Sequence, residues 1–526
     1  LKKLESLFIK LNIGINTYEP VSAPTKELRF NRLVNLEARK GSLAVSRGIE
    51  KITNINEKFN TFSHYTNDSN TTFLYAFSDE GLYKWDTTLS TFDSTPLDTF
   101  TANVDEPWAV VGSEAGLFYT RHGVPLATVV NETITSVNSY EAKYAINAHD
   151  HLLLANFNEV SGAYVVRWSD LYHFDDFVAT TTNEADEYTF NASYGEITGL
   201  SIQRDVVYVY TERSVFTVTY IGMPDKYVLS PLFTDLGARF HHSVVSHRDV
   251  DYFIGDDNFY RLEGTILTPI GDSVWDFFKD SSASFSYGTE IRGVVDTERD
   301  RVGWLYTRIY DATYPNGLRA SKKYWIWYNV KEQRWWTEEA DFISFYKPKK
   351  RLFFYDTIDS QAQIIDTETR LIDGLWQATG FLYEGGLYGG EDESIYSTSL
   401  GYDGKVLHFE TSEIHLDAPS TTKTLSQVCF YGEIGGSNIP FLDDKFLNVV
   451  VSIGYRNADS SLTWVALSAS NKRRNNTMEY DVPDTVPASR SYAVRFTHAN
   501  TDGLYITNLI GINLIFNTPN NAKGND

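Results

Sequence analysis

DVVYVYTERSVFTVTYIG (205–222) carries the reading of the fold. Val206 to Tyr210 is an unbroken run of Val and Tyr, TERS interrupts it, and from Val215 β-branched and aromatic residues resume. Runs of roughly five to eight such residues around a short polar break form a β-hairpin, because branched and aromatic side chains suit a pleated surface. The same texture returns at FLYAFSDEGLYKWD, GLFYTRHGVPLATVV, HLLLANFNEVSGAYVVRWSD, VDYFIGDDNFYRLEGTILTPIGD, RVGWLYTRIY with KKYWIWYN, and RLFFYDTIDSQAQIID. The starts near 73, 117, 152, 206, 250, 302 and 351 are spaced by about 35 to 55 residues, the length of one four-stranded propeller blade. The expectation is an all-β chain with a degenerate β-propeller over 51–384, preceded by an N-terminal arm and first strands (1–50). Aromatic residues then fill the wedges between blades, about three in four of them, and a stripe of aromatics is no sign of sugar binding.

After EGGLYGGEDES (384–394) the texture changes. A Gly-rich connector (385–404) leads to longer, cleanly alternating strands in VLHFETSEIHLDA, VVVSIGYRNADSSLTWVALS and SYAVRFTHANTDGLYITNLIGINLIF. These suit a small antiparallel β-sandwich-like domain over 405–517. The tail 518–526 has no apolar anchor and is expected to fray. Helical spacing is confined to Leu1, Leu4, Leu7, Phe8 and Leu11, and to SVWDFFKD, where Asp272 is the expected N-cap.

The 526 residues accommodate both units, and a composition of 42% hydrophobic and 22% charged residues excludes disorder for most of the chain. Acidic side chains number 69 against 46 basic ones, a net charge of -23, which is the wrong sign for gripping phosphate. Sequence-specific nucleic-acid recognition is therefore not expected. The one cysteine, Cys429, can form no internal disulfide. Glu5 and Lys10 interrupt the first apolar stretch, so no secretion signal is legible there. No uncharged apolar run approaches the roughly 18 residues that cross a bilayer, so a soluble protein without a membrane-spanning segment is expected.

No candidate for chemistry survives comparison with a plainer role. His241, His242 and His247 form HHSVVSH, but no acid stands at zinc-protease spacing, and a strand would splay the first two rings to opposite faces. Asp256 and Asp257 in IGDDNFY fit a hairpin turn better than a calcium loop. SDEGLYKW (78–85) is similar to the Asp-box of propeller sialidases, but Trp85 is one residue too far from Gly81 and the motif occurs once, so a turn is expected. Glycoside hydrolysis needs two carboxyls on opposite sides of a sugar, and the sequence nominates no pair. The basic clusters KPKKR (347–351) and KRR (472–474) read as solvated loops or subunit salt-bridge partners. No catalytic residue, cofactor or metal is assigned, and an enzyme is not indicated.

One stretch carries a resemblance. RWSDLYHFDDF…EITGLSIQRDVVYVYTERSVF, followed by LFTDLGARFHHSVVSHRDVDYFIGDDNFYRLEGTILTPIGD, is similar to the central region of the tail hub or nozzle proteins (tail tubular, head-to-tail joining) of short-tailed bacteriophages. The matching residues are Trp168, Ser169, Asp170, Glu212, Arg213, Ser214, Gly255, Asp256, Phe259, Tyr260, Gly264, Thr268, Pro269, Ile270 and Gly271. Asn258 stands where that family has Gly, a residue that still allows a left-handed turn. The opening LNIGINTYEPVSAPTKELRFNRLVNLEARKGSLAVSRGIEKI also looks like the family's start, and together the similarities cover about half of the chain. The resemblance implies a virion protein of the phage tail, assembled in the host cytoplasm as a cyclic homo-oligomer, a hexamer on the family's sixfold tails. It implies portal-side adaptor proteins and distal fibre, spike or needle proteins as partners, non-specific passage of double-stranded DNA, and no catalytic residues to carry over.

The charge agrees, since a conduit of like charge lets DNA slide. The Gly-rich segment reads first as a flexible interdomain connector; the sharper alternative makes Tyr388, Glu391, Asp392 and Glu393 a channel or subunit-contact loop, where symmetry would repeat three acids as a ring. The alternative is a propeller-type glycan-binding or glycan-hydrolysing protein, because the same fold hosts both.

Overall fold

The second strand of three repeats is buried along its whole length. Gly116–Arg121, His151–Phe157 and Asp251–Ile254 are buried at every position, whereas the fourth strands Thr133–Ser136, Asp186–Thr189 and Ile266–Pro269 are mostly exposed. A continuous apolar strand needs cover on both faces, and here the sheets before and after it supply that cover. The computed structural model describes residues 4–10, 30–34, 36–39, 42–45, 49–51, 59–67, 71–86, 91–101, 106–113, 115–281, 291–297, 300–313, 319–339, 344–346, 375–378, 381–385, 406–411, 414–415, 424–435, 449–456, 462–469, 477–489, 491–499 and 505–517.

Within these residues six small antiparallel sheets and the four-stranded antiparallel end of a 16-stranded sheet follow one another as seven blades. Their first strands are Phe59–Thr66, Ala109–Ser113, Ala142–Ala148, Ile197–Gln203, Val245–Ser246, Arg292–Asp296 and Ser344–Tyr346, here the inner strands of blades 1 to 7. From blade 1 to blade 6 each inner strand packs against the next, and that of blade 7 packs back against that of blade 1. This circular order is a β-propeller. Blade 7 is completed by Ile49–Lys51, which pairs with Phe381–Gly385, so chain segments from both ends of the propeller sequence close the ring within one sheet.

Turn chemistry explains how such short strands fold back. Asn131-Glu132, His149-Asp150, Arg204-Asp205 and Arg248-Asp249 each place two successive residues at φ between 46° and 71°. Two left-handed residues in a row make the type I′ turn, whose twist matches that of the paired strands. Inter-blade joints are polar threads through aromatic packing. Trp108 Nε1 donates to the Ser78 carbonyl (3.1 Å) between blades 2 and 1, and Trp304 Nε1 donates to the Ser243 carbonyl (2.8 Å) between blades 6 and 5. Arg121 is fully buried, donates to Asp79 Oδ1 (3.0 Å) and lies 4.3 Å over the Trp108 ring. Between blades 4 and 5 the buried Asp251 accepts from Gln203 Nε2 (2.7 Å), Tyr210 Oη and Ser246 Oγ (each 2.5 Å), and also from Ser201. A carboxylate so surrounded is satisfied without a counter-ion.

The second unit is a β-sandwich-like domain built from both ends of the chain. Leu4–Lys10 and Ser42–Val45 pair with Tyr505–Asn517, and Phe30–Val34 pairs with Val406–Thr411. The segment 1–50 is therefore divided: its first strands belong to the sandwich and its last to blade 7. Val34 also pairs in parallel with Thr337, so hydrogen bonding runs unbroken from blade 6 into the sandwich. Phe409 stacks on Phe496 at 5.2 Å in a core shared with Phe430, Val451 and Leu514.

Two expectations of helix are corrected. The spacing from Leu4 to Lys10 forms a strand, because pairing with residues 511–517 outweighs a short local preference. A short helix does follow Asp272, at Trp275–Ser281, but Asp272 is not its cap: its carboxylate accepts from Asn258 Nδ2 (2.5 Å). Asn258 is not left-handed either. Its side-chain oxygen accepts the amides of Phe259 (2.8 Å) and Gly271 (2.9 Å), which organises the turn without a positive φ.

Candidate functional site in the propeller channel

The opening residues of the inner strands converge at one end of the propeller axis. Phe62 of blade 1, Trp108 just ahead of blade 2, Tyr144 of blade 3, Thr198 of blade 4, His242 just ahead of blade 5 and Arg292 of blade 6 line a cavity of about 270 Å³. Each comes from a different sheet, so only closure of the ring assembles the site. The cavity is far too small for a DNA duplex, whose major groove alone is about 12 Å wide.

Tyr144 organises the rim. Burial drives its phenol far above the ordinary value, and burial holds His241 down at about 3 with help from Lys143 and His122. Both groups are neutral near pH 7, so the Tyr144 hydroxyl donates to His241 Nδ1 (2.8 Å) and leaves Nε2–H facing Glu196 Oε2 at 3.4 Å. Lys143 lies 3.2 Å from Glu106 on the same rim. His242 is held well below its usual value by burial and then by His241, Lys143 and Arg292, so its ring is also a neutral hydrogen-bonding group. Such groups can recognise a ligand; neither histidine stores a proton for acid catalysis at neutral pH.

The structure thus gives the three histidines different places. His241 and His242 precede the inner strand of blade 5, His242 at φ 57°, and both rings turn toward Tyr144, with centroids 6.3 and 5.0 Å away. The expected splaying to opposite faces does not occur, because neither residue is in the strand. His247 points elsewhere, with Nε2 3.2 Å from Asp300. Asp256 pairs with Arg239 (2.5 Å) and Asp257 accepts from Tyr260 Oη (2.6 Å), as turn residues do. Ser78 Oγ accepts the amides of Glu80 (3.2 Å) and Gly81 (2.9 Å), so SDEG is a tight turn whose Asp79 is taken by Arg121. Tyr388, Glu391, Asp392 and Glu393 lie outside the described residues, as do KPKKR and KRR. Among the described residues no group of three His, Cys, Asp or Glu side chains could hold a metal, and no helix is long and apolar enough to cross a membrane.

Thr198, Trp108 and Arg292 were not singled out from the sequence as site residues. The usable clue was positional: each stands at or beside the start of an inner strand.

No known family and no curated protein matches the chain in sequence. Several solved structures align with the chain at 9 to 10% identity. The extracellular domain of the one-component system BT4673 from B. thetaiotaomicron aligns over 84% of this chain and 49% of its own, with a TM-score of 0.36 at 10% identity. The chain therefore spans about half the length of that protein. The WD40 domain of SCAP from fission yeast aligns over 87% of this chain and 99% of its own (TM-score 0.29, 9% identity). A glycoside hydrolase family 43 arabinoxylan arabinofuranohydrolase from Bacillus subtilis aligns over 92% and 96% (TM-score 0.22, 10% identity). At these TM-scores the alignments carry no argument about what the chain does.

Proposed function

We propose that this chain is a structural subunit of a short bacteriophage tail, one copy of a sixfold ring through whose lumen genomic DNA is held and released. The observation that carries the reading is the ordered run of matching residues from Trp168 to Gly271, together with what those residues do. Trp168 Nε1 donates to the Glu184 carbonyl (2.9 Å), Ser169 Oγ accepts the Leu152 amide (2.9 Å), and Asp170 Oδ1 accepts the Glu184 amide (2.8 Å). Ser214 Oγ donates to the Thr234 carbonyl (3.0 Å), and the Gly271 amide bonds the turn at Asn258. All of these hold blades and turns in place, and none faces the channel cavity, which suits a likeness of scaffold more than of chemistry.

Two further features support an assembly role. Hydrogen bonding through the Val34–Thr337 pair joins blade 6 to the sandwich, a connection that suits a load-transmitting ring subunit. A net charge of -23 per chain suits a lumen from which phosphate is repelled. In this reading DNA passes between subunits, not through the propeller, and the ring contacts are heterologous and close on themselves. Portal-side adaptors and distal fibre, spike or needle proteins would flank it.

Electron microscopy of purified particles, with the chain located by an antibody label, tests the proposal. The expected image is a ring of six copies at the tail around a central channel. A monomer, a twofold dimer, or a position away from the tail would overturn it.

A further inference from the structure

We propose that one turn-bearing face of blades 3 and 4 is a docking surface for a basic segment of a partner protein, one that carries Arg or Lys beside an apolar side chain. The inference does not depend on the ring reading and concerns the propeller surface alone.

In an antiparallel four-stranded blade, the turn between strands one and two and the turn between strands three and four lie at the same end, here the end away from the channel cavity. In blades 3 and 4 these turns are residues 149–150, 169–185, 204–205 and 223–225. Short contacts tie them into one surface. His149 Nε2 lies 2.6 Å from the Asp205 carbonyl oxygen, its ring stacks on Tyr220 at 5.4 Å, and the Tyr172 amide donates to the Asp150 carbonyl (2.9 Å).

Exposed apolar side chains concentrate here. Of the ten large ones among the described residues, Tyr172, Val178, Ile221, Met223 and Val228 all sit on the 169–185 loop or on the hairpin of the last two strands of blade 4. Tyr172 is 65% exposed and stands at φ 60°, a left-handed conformation that strains a bulky residue. The loop holds it there, with the Asp170 amide donating to the Asp176 carbonyl (2.7 Å) and the His173 amide to the Asp170 carbonyl (3.1 Å). Strain of this kind collects at binding sites, and a Tyr fixed in advance loses little entropy when a partner covers it.

Charge selects the partner. The four turns hold seven carboxylates against one base, Arg204; Lys226, next along the chain, is taken by Asp186 (3.0 Å) and the Ala185 carbonyl (2.9 Å). Some of the acids are engaged: Asp170 accepts the Glu184 amide (2.8 Å), Asp176 the Val178 amide (3.0 Å), and Glu184 the Tyr220 hydroxyl (2.7 Å). Asp150, Asp205 and Asp225 are exposed and have no ion pair among the described residues. Arg or Lys of a partner would meet these carboxylates and the Tyr172 ring, and its apolar neighbour would cover Ile221 and Met223. Turn tips cannot enclose a small molecule, and unpaired carboxylates repel an anionic lipid surface.

Fluorescence anisotropy of the full chain with two labelled nonapeptides, GRLRWRLRG and GELEWELEG, tests this. The basic peptide should bind with a Kd below about 100 μM at about 50 mM salt, and the acidic one at least about tenfold more weakly. The triple variant Asp150→Asn, Asp205→Asn, Asp225→Asn keeps residues that tolerate left-handed turns and should weaken the basic peptide at least about tenfold. The same charge change at exposed acids elsewhere, Glu80→Gln, Asp235→Asn and Asp484→Asn, should leave it within about twofold, which separates docking from the pull of net charge. Tyr172→Gly removes the ring and relieves the strain, so the urea midpoint should hold or rise while binding falls by roughly 3- to 10-fold. No binding of the basic peptide up to about 1 mM, equal binding of the two peptides, or equal loss in the two triple variants would overturn the proposal. So would basic-peptide affinity untouched by Tyr172→Gly, or self-association of the chain that this variant abolishes, which would assign the face to a second copy.

Discussion

Replacing Trp168 by Ala tests whether the residues of the phage-like motif are joints of the propeller. The indole is 3% exposed, packs edge-on against Tyr227 of blade 4 at 5.1 Å, and donates to the Glu184 carbonyl at 2.9 Å. A buried aromatic removes about 150–250 Å² from water, and at about 25 cal/mol per Å² the middle of that range is worth about 5 kcal/mol. Ala retains its β-carbon and the pocket relaxes in part, so the expected loss is about 4 kcal/mol, inside the range of buried Trp truncations. For a propeller of roughly 330 residues the unfolding entropy near Tm is about 0.7 kcal/mol/K, so Tm should fall by about 6 °C. Trp168→Phe keeps a ring but loses the N–H and should cost about 1–2 kcal/mol. Urea unfolding followed by circular dichroism reads both changes. A loss under about 1.5 kcal/mol for Trp168→Ala, or equal losses for the two variants, would show that the ring does not bridge blades 3 and 4.

His241, His242 and His151 are each held below the ordinary histidine value, chiefly by burial, so the unfolded chain binds more protons than the fold in acid. Their contribution is complete above about pH 6.5 and is lost as pH falls toward 3; urea midpoints measured down this range should drop, and His241→Asn should make the drop shallower. An equally steep drop in that variant would refute the assignment. Gly237→Ala should abolish the fold or cost more than about 3 kcal/mol, because the new Cβ would stand 2.1 Å from the Thr211 carbonyl oxygen and 2.5 Å from the Ser214 amide nitrogen. Soluble expression and thermal melting decide this one. Cys429 is buried, and burial, then Glu479 and Asp481, push its thiol up to about 12. It should resist thiol reagents at pH 8 in the native protein and react promptly once urea has unfolded it; fast native labelling would place it at the surface.

Much of the propeller was legible along the chain because its strands are local. VVYVYT and HLLLANF are mostly apolar or aromatic on both faces, and such a run needs cover on both faces wherever it occurs. Six of the runs, starting near 73, 117, 152, 206, 250 and 302, fall on the second strands of blades 1 to 6, while the seventh, RLFFYDTIDSQAQIID (351–366), lies outside the described residues. Cys429 without a partner and the excess of acid were equally plain from composition.

Tertiary structure decided what depended on distant segments. Leu4 to Lys10 has helical spacing by itself, yet seven backbone pairings with residues 511–517 make it a strand, because hydrogen bonds and burial at long range outweigh a propensity of tenths of a kcal/mol per residue. Ile49–Lys51 completes a blade whose other strands follow about 300 residues later, a pairing no local pattern announces. The channel cavity was least legible of all. Phe62, Trp108, Tyr144, Thr198, His242 and Arg292 are scattered over six blades with no common motif, and each taken singly reads as a core or loop residue. Sequence patterns record which face of a strand is apolar; which strand ends meet on an axis is set by closing the ring, when the last blade pairs with the start of the chain.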